Sequence, residues 1–272
     1  DTLGSRSTGL GYRALNTQNF TTATDSYNTA MGYSAGVSVT TGLVNTLVGG
    51  LAGDAITTGN DNTTLGYGSL SANTASNRNT AVGSATLAAF NVTTDTHTYN
   101  TALGYGAANA VTTGIQNTLV GGLAGDALTD ADANVAVGYA ALTRDTLGSK
   151  SVAIGQQALT TQNFTTATDV HNIAIGYQAG AAVTTGTLNI LIGGLSGDSV
   201  TIGNSNVALG YQALTTEVAG DRSVAIGLGA LAIQSNATTV DVYNTAVGYN
   251  AGYAMTTGVK NVVVGGLALD AA

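Results

Sequence analysis

The sequence predicts an all-β fold, a parallel β-solenoid of about fifteen coils, where a coil is one turn of the chain around the solenoid axis. Three observations support this prediction: a short motif that closes on glycine recurs from end to end, its copies are regularly spaced, and proline is absent. The motif reads Asn or Ser, a Thr or β-branched residue, usually a small residue, a large aliphatic residue, and Gly. A fixed short period is typical of solenoids, in which each unit buries its apolar face only against its neighbours.

The closing glycines follow one another at intervals of 21, 17, 17 and 17 residues, so four copies form a super-repeat of 72 residues. Each coil is named here by its closing glycine, and the fifteen are Gly11, Gly32, Gly49, Gly66, Gly83, Gly104, Gly121, Gly138, Gly155, Gly176, Gly193, Gly210, Gly227, Gly248 and Gly265. We expect a single β-roll domain over residues 1–272, cut from a longer chain. With about 4.8 Å between hydrogen-bonded strands, the array would form a rod about 70 Å long.

Each copy of the motif is expected to form a short strand, because aliphatic residues such as Val152 and Ile154 alternate with a small residue such as Ala153. The closing glycine and the small or polar residues after it should end the strand and turn the chain. A second short strand is predicted in segments such as residues 37–39, before the recurrent Thr-Thr-Gly. Helix is disfavoured because Gly and β-branched residues are dense and no helical stripe persists.

The coils of one super-repeat differ in the residue that follows the closing glycine. Many coils place a tyrosine there, such as Tyr33 and Tyr67, whereas the coil between them has Gly50. That coil also exchanges the small residue of the motif for Leu47. The exchange predicts volume compensation inside a close-packed interior, where an added aliphatic side chain fills the space of a missing ring.

The composition disfavours several classes of partner. Charged residues make up 8% of the chain and the net charge is −8, so attraction to nucleic acid or to an anionic membrane is disfavoured. No apolar run is long enough to insert into a membrane. Basic side chains recur at the 72-residue spacing as solvated surface residues, with ion pairs between subunits as the alternative: Arg6, Arg78, Lys150 and Arg222.

Side chains suited to catalysis are scarce. Glu217 is the one glutamate, so a pair of catalytic carboxylates would have to come from scattered Asp residues. His97 and His171 lack a second metal-ligand pattern, and cysteine is absent. We therefore expect a protein that is not an enzyme, with no catalytic, cofactor-binding or metal-binding residues.

The four 21-residue intervals define the first to fourth insertion segments, residues 16–27, 88–99, 160–171 and 232–243. Insertions in solenoids map to loops on one face, which is often the binding face. Aromatic, His and Asp side chains of these segments are candidate receptor contacts: Phe20, Asp25, Tyr27, Phe90, His97, Tyr99, Phe164, Asp169, His171, Asp241 and Tyr243. The alternative is that the rings cover apolar surface, which we expect for the three Phe residues.

Two pentapeptides and one longer segment carry a resemblance to a known family. The sequences Ser-Val-Ala-Ile-Gly at residues 151–155 and 223–227 resemble the YadA-like head repeats of trimeric autotransporter adhesins. The 17-residue form, as in Asn-Val-Ala-Leu-Gly-Tyr-Gln-Ala-Leu at residues 206–214, is similar to repeats in bacteriophage tail-fibre and adhesin-like proteins. This resemblance implies a left-handed parallel β-roll that assembles as a homotrimeric fibre.

The sequence and the resemblance together favour a structural fibre or adhesion segment at a virion surface, in a bacteriophage tail or capsid fibre. Its partners would be two further copies of itself and a receptor, either a glycan or a protein, on the host or cell surface. The alternatives are the head of a bacterial trimeric adhesin at the cell surface, an extracellular filament-forming protein, and a tailspike-type polysaccharide depolymerase. The scarcity of glutamate disfavours the depolymerase.

Overall fold

The computed structural model describes residues 1–271 and confirms an all-β, parallel β-solenoid of about fifteen coils without helix in that range. The chain divides into two compact units, Asp1–Ala133 and Asn134–Ala272. The first unit contains the coils from Gly11 to Gly121 and the second those from Gly138 to Gly265. The expectation of a single domain stays a prediction.

Each coil contributes one three-residue strand. In the first unit these strands are Thr8–Leu10, Thr29–Met31, Thr46–Val48, Thr63–Leu65, Thr80–Val82, Thr101–Leu103 and Thr118–Val120. In the second unit they are Val135–Val137, Val152–Ile154, Ile173–Ile175, Ile190–Ile192, Val207–Leu209, Val224–Ile226, Thr245–Val247 and Val262–Val264. Two-residue strands are added near the insertion segments: Gly4–Ser5, Thr24–Asp25, Gly148–Ser149, Thr168–Asp169, Gly220–Asp221 and Val240–Asp241.

Within each unit, neighbouring strands pair in parallel with equivalent residues side by side. Ala153 lies opposite Ala174, and Ile154 lies opposite Ile175. Because successive side chains of a strand point to opposite faces, the middle residue of every strand shares one face and its two neighbours share the other. The middle residue, such as Ala153, is fully buried inside the coil, whereas the flanking residues lie on the outer face.

The closing glycine is required by the close approach of successive coils. Gly66 has a φ of +141°, and a Cβ atom there would lie 2.4 Å from the carbonyl oxygen of Gly83. Both the backbone conformation and the contact exclude a larger residue. The regular spacing of the motif therefore reflects backbone stacking between equivalent glycines.

The predicted second strand at residues 37–39 is wrong, because this segment forms consecutive turns. Alternate N–H groups bond within the coil, as from Val37 to the Ser34 carbonyl at 3.2 Å, or to the next coil, as from Ser38 to the Asp54 carbonyl at 3.2 Å. Alternate residues take a left-handed conformation, with φ values of 53° at Ser34 and 56° at Gly36. Residues 37–39 follow directly, and the N–H groups of Val37 and Val39 bond three residues back, to Ser34 and Gly36, as in turns and not as in a strand ladder.

The predicted volume exchange between Tyr and Leu47 is also wrong, because the two positions face opposite sides. The Leu47 side chain is fully buried, and glycines make room for it: a Cβ atom on Gly36 or Gly53 would lie 2.5 or 2.8 Å from its methyl groups. Tyr67 lies outside, where a Cβ atom added to Gly50 would be 3.4 Å from its ring. The interior and the surface therefore repeat for separate steric reasons.

A ladder of buried asparagines runs along each unit just before the strands. Asn189 Oδ1 accepts the backbone N–H of Asn206 at 3.0 Å, and its Nδ2 donates to the Gly203 carbonyl at 2.8 Å. Asn206 repeats the same bonds one coil further, to Ser223 and Gly220. Each amide thus satisfies backbone groups that the interior would otherwise leave unpaired.

Candidate functional site

The insertion segments are where the surface of the solenoid departs from its repeat. In the first, third and fourth segments the extra residues form a two-residue parallel pairing with the preceding coil, as between Gly148–Ser149 and Thr168–Asp169. In the second segment a single bridge joins Asn77 to His97. These pairings hold the last residues of each insertion segment against the side of the solenoid.

Each insertion segment places two exposed residues beside one of the repeating basic side chains. The first is an Asp or a His, and the second is a Tyr or a His. In the first segment the Arg6 guanidinium lies 5.4 Å from the Tyr27 ring centroid and 3.0 Å from an Asp25 oxygen. In the fourth, Arg222 lies 5.7 Å from the ring of Tyr243 and pairs with Asp241. The basic residue, the acid and the ring therefore form one exposed cluster, which we call the surface cluster.

The second and third surface clusters keep this plan with different residues. Arg78 donates to the Tyr99 hydroxyl at 2.8 Å and lies 3.5 Å from Asp61, and His97 packs edge-on against Tyr99 with 6.1 Å between ring centroids. The hydrogen bond to Tyr99 is the main cause of a raised pKa of the Arg78 guanidinium.

In the third cluster, Lys150 Nζ lies 2.5 Å from Asp169, and His171 takes the place of the tyrosine. The hydrogen bond from Lys150 lowers the pKa of the Asp169 carboxyl, with smaller contributions from the charges of Lys150 and His171. The four repeating basic residues therefore lie at the surface, as expected. Their charges pair within the chain, with local acidic or aromatic partners.

The candidate contact residues separate into buried and exposed groups. Phe20, Phe90 and Phe164 lie in the core, with exposed fractions of 5, 0 and 7%. The remaining candidates are exposed: Asp25, Tyr27, His97, Tyr99, Asp169, His171, Asp241 and Tyr243. A receptor that approached the folded chain would therefore meet the surface clusters and would not reach the Phe rings.

A buried carboxylate lies beneath the third insertion segment. Asp145 Oδ1 accepts the backbone N–H groups of Gly148 and Phe164, both at 3.0 Å. Its Oδ2 accepts from the Gln162 side chain at 2.5 Å. Gln162 also donates to Ser151 and accepts from Asn172 at 2.9 Å, which connects the carboxylate to the asparagine ladder. Asp145 and Gln162 are both fully buried.

Glu217 has the same place beneath the fourth insertion segment. Its Oε1 accepts the N–H groups of Gly220 at 2.8 Å and Asn236 at 3.0 Å, and its Oε2 accepts from Gln234 at 2.8 Å and the Asn236 side chain at 2.9 Å. Burial raises the pKa of the Glu217 carboxyl, but these hydrogen bonds outweigh burial and leave the pKa below its ordinary value. The carboxylate thus joins the coil to the insertion.

Sequence reasoning missed these buried carboxylates, although a signal was present. An acid, a Ser six residues later and a Gln eleven residues after that recur in three super-repeats: Asp1, Ser7 and Gln18; Asp145, Ser151 and Gln162; Glu217, Ser223 and Gln234. The remaining super-repeat has Asn73, Asn79 and Phe90 at these positions. The joint change of all three residues is what their mutual contact would produce.

The outer face of the main strands forms a second unusual surface. In the second unit both flanking positions are aliphatic in nearly every strand, as with Ile190 and Ile192. These side chains are only partly covered, and Ile192 keeps an exposed fraction of 36%. In the first unit the leading position is Thr and the trailing one aliphatic, as with Thr63 and Leu65. The outer face therefore forms an apolar stripe in each unit.

Over residues 1–271 the structure shows no pocket, no group of side chains that could hold a metal ion, and no helix long and apolar enough to cross a bilayer. Comparisons with protein-family models, with curated proteins and with solved structures found no match to this chain.

Proposed function

We propose that this chain is a non-enzymatic segment of a homotrimeric fibre, in which the apolar stripes of three copies face one another. The single observation that carries this proposal is the incomplete cover of the aliphatic outer face, as at Ile192 and Leu65 with exposed fractions of 36 and 49%. Burial of apolar surface stabilises association by about 25 cal/mol per Å². A closed symmetric assembly covers such a stripe without open-ended polymerisation.

The fibre would be of the left-handed, YadA-like kind that the repeat motif resembles, and its setting would be a virion, in a bacteriophage tail or capsid fibre. Within each unit, stacked coils give length and stiffness, because each coil is joined to the next by strand pairing and by the asparagine ladder. Within each unit the two surface clusters are four coils apart, about 19 Å at the usual strand spacing. A glycan or protein receptor on the host surface could then engage several weak sites at once.

The assembly is tested by measuring the mass of the chain in solution by sedimentation equilibrium. We expect a trimer for the wild-type chain and monomers for Ile154→Asp, because a carboxylate placed in an apolar interface would be buried without a partner. Thr166→Asp, on the exposed third insertion segment, is the matched control and should remain trimeric. A stable wild-type monomer at micromolar concentration would refute the homotrimer.

The attachment role is tested separately with a chain that carries Tyr27→Ala, Tyr99→Ala and Tyr243→Ala. These rings are exposed, so the trimer should keep its mass while binding to host cells falls. Phe164→Ala is the comparison variant, since its ring is buried and its loss should lower the melting temperature. Unchanged cell binding by the triple variant would exclude the tyrosine rings of the first, second and fourth surface clusters as the contact sites.

A further inference from the structure

The buried carboxylates hold backbone groups on both sides of an insertion. Asp145 binds Gly148 in its own coil and Phe164 in the third insertion segment, and Glu217 binds Gly220 and Asn236 in the corresponding way. Each of these contacts is made by a donor N–H group. The carboxylate is therefore the common acceptor that keeps the start of the insertion against the coil.

The arrangement requires the ionised form of the acid. An ionised carboxylate only accepts hydrogen bonds, whereas a protonated one carries a donor O–H on one oxygen. At Glu217 the two oxygens already face donors from Val218, Gly220, Gln234 and Asn236. A proton would thus bring a donor against donors in a buried site, and at least one of these contacts would be lost.

The other charged groups near the two carboxylates are already occupied or lie at the surface. Around Glu217, Asp221 accepts from the N–H of Asn204 at 2.6 Å, and Arg222 pairs with Asp241.

Around Asp145, Lys150 pairs with Asp169 at 2.5 Å, and Arg144 and His171 are exposed. The direct contacts of the two buried carboxylates described above are neutral amide and backbone groups, so no cation in contact with them opposes protonation.

The second insertion segment is built without a buried acid. Phe90 is fully buried in the place of the glutamine, and its N–H bonds to the Leu87 carbonyl at 3.2 Å within its own coil. Asn73 takes the place of the carboxylate and binds Ser76 at 2.6 Å through its oxygen. Asn91, which follows Phe90 in the chain, accepts a hydrogen bond from the Thr74 hydroxyl at 2.9 Å. None of these three contacts involves a titratable group, and the titratable residues of the segment that contact the coil, Asp95 at 2.5 Å and His97 at 3.4 Å from the Asn77 side chain, are exposed and not buried anchors.

We propose that the third and fourth insertion segments are acid-releasable: protonation of Asp145 and Glu217 detaches them from the solenoid, whereas the second segment stays in place. Acid would in this way alter the surface presented by Asp169, His171 and Asp241 while the coils remain stacked. This acid response depends on the contacts that hold each segment to its own coil. It does not depend on the number of copies in the fibre.

Nitroxide labels on single introduced cysteines test this, because the chain has no cysteine of its own. Thr94, Thr166 and Thr238 occupy equivalent exposed positions in the second, third and fourth segments. In Thr166→Cys and Thr238→Cys we expect the label to become severalfold more mobile as the solution is acidified, with an unchanged far-ultraviolet circular dichroism spectrum. In Thr94→Cys, the matched control, the label mobility should stay constant.

Two further variants decide the role of the acid. Asp145→Asn, combined with Thr166→Cys, should give a mobile label already at neutral pH and no further change in acid. The triple change Asn73→Asp, Asn79→Ser and Phe90→Gln, combined with Thr94→Cys, should confer acid release on the second segment. The proposal is overturned if all three labels respond together, if the labels at 166 and 238 stay immobile until the solenoid itself unfolds, or if Asp145→Asn leaves the acid response intact.

Discussion

Asn189 and Asn206 occupy equivalent positions in successive coils, and Asn189 Oδ1 accepts the backbone N–H of Asn206 at 3.0 Å. Both side chains are fully buried. A side-chain amide so placed pairs one backbone donor and one backbone acceptor in the interior, where water cannot replace it. Asn is favoured at the start of the motif because it accepts this bond from the next coil; where Ser151 or Ser223 replaces it, the hydroxyl accepts from Gln162 or Gln234.

Replacement of Asn189 by alanine should therefore destabilise the solenoid. The N–H of Asn206 and the carbonyl of Gly203 would both lose their partner, at a cost of about 1–3 kcal/mol for each buried group. Thermal unfolding followed by circular dichroism should show a clearly lower midpoint. Asn163→Ala, at an exposed position of the third insertion segment, is the control and should unfold near the wild-type midpoint.

Thr64→Val should raise stability. Thr64 is the middle residue of Thr63–Leu65, its side chain is fully buried, and its hydroxyl has no hydrogen-bond partner. Valine has nearly the same shape and removes an unpaired polar atom, so we expect a gain of about 1 kcal/mol in chemical denaturation. The exposed Thr58→Val should change little, and a loss of stability in Thr64→Val would contradict the account.

Gly53→Ala should be destabilising through contacts with Leu47 and Ile56. A Cβ atom at residue 53 would lie 2.8 Å from a methyl group of each, and the φ of +55° adds backbone strain. Overpacking of this kind costs about 1–3 kcal/mol. A double-mutant cycle checks the cause: in a Leu47→Ala background the alanine at 53 should cost less, and strictly additive effects would rule out the contact.

Acid should reduce the contribution of Glu217 to stability. Its pKa is lower in the folded chain than its ordinary value, so the unfolded chain binds more protons in acid. The contribution is complete above the ordinary pKa and is lost as the pH falls through the lower folded-state value. Melting temperatures measured over this range should converge for wild-type and Glu217→Gln chains as the pH falls. A difference that stays constant with pH would show that the carboxylate charge contributes nothing.

The fold class, the coil count and the super-repeat could be predicted from the sequence alone. Each coil repeats the same backbone geometry, and a closing glycine such as Gly66 tolerates no other residue because its neighbour Gly83 is too close. The surface placement of the insertions followed from their extra length. A repeat that is enforced by stacking leaves a periodic record in the chain, and the record can be read without coordinates.

The tertiary structure decided which side of the coil each residue faces. Ala153 is buried while Val152 and Ile154 lie outside, and Tyr67 and Leu47, which appeared to exchange volume, occupy opposite sides. It also decided that Asp145 and Glu217 are buried anchors, since a carboxylate near a turn reads as a solvated residue until its donors are seen. Orientation and pairing depend on contacts between residues about 17 positions apart, and alternation within one coil cannot specify them.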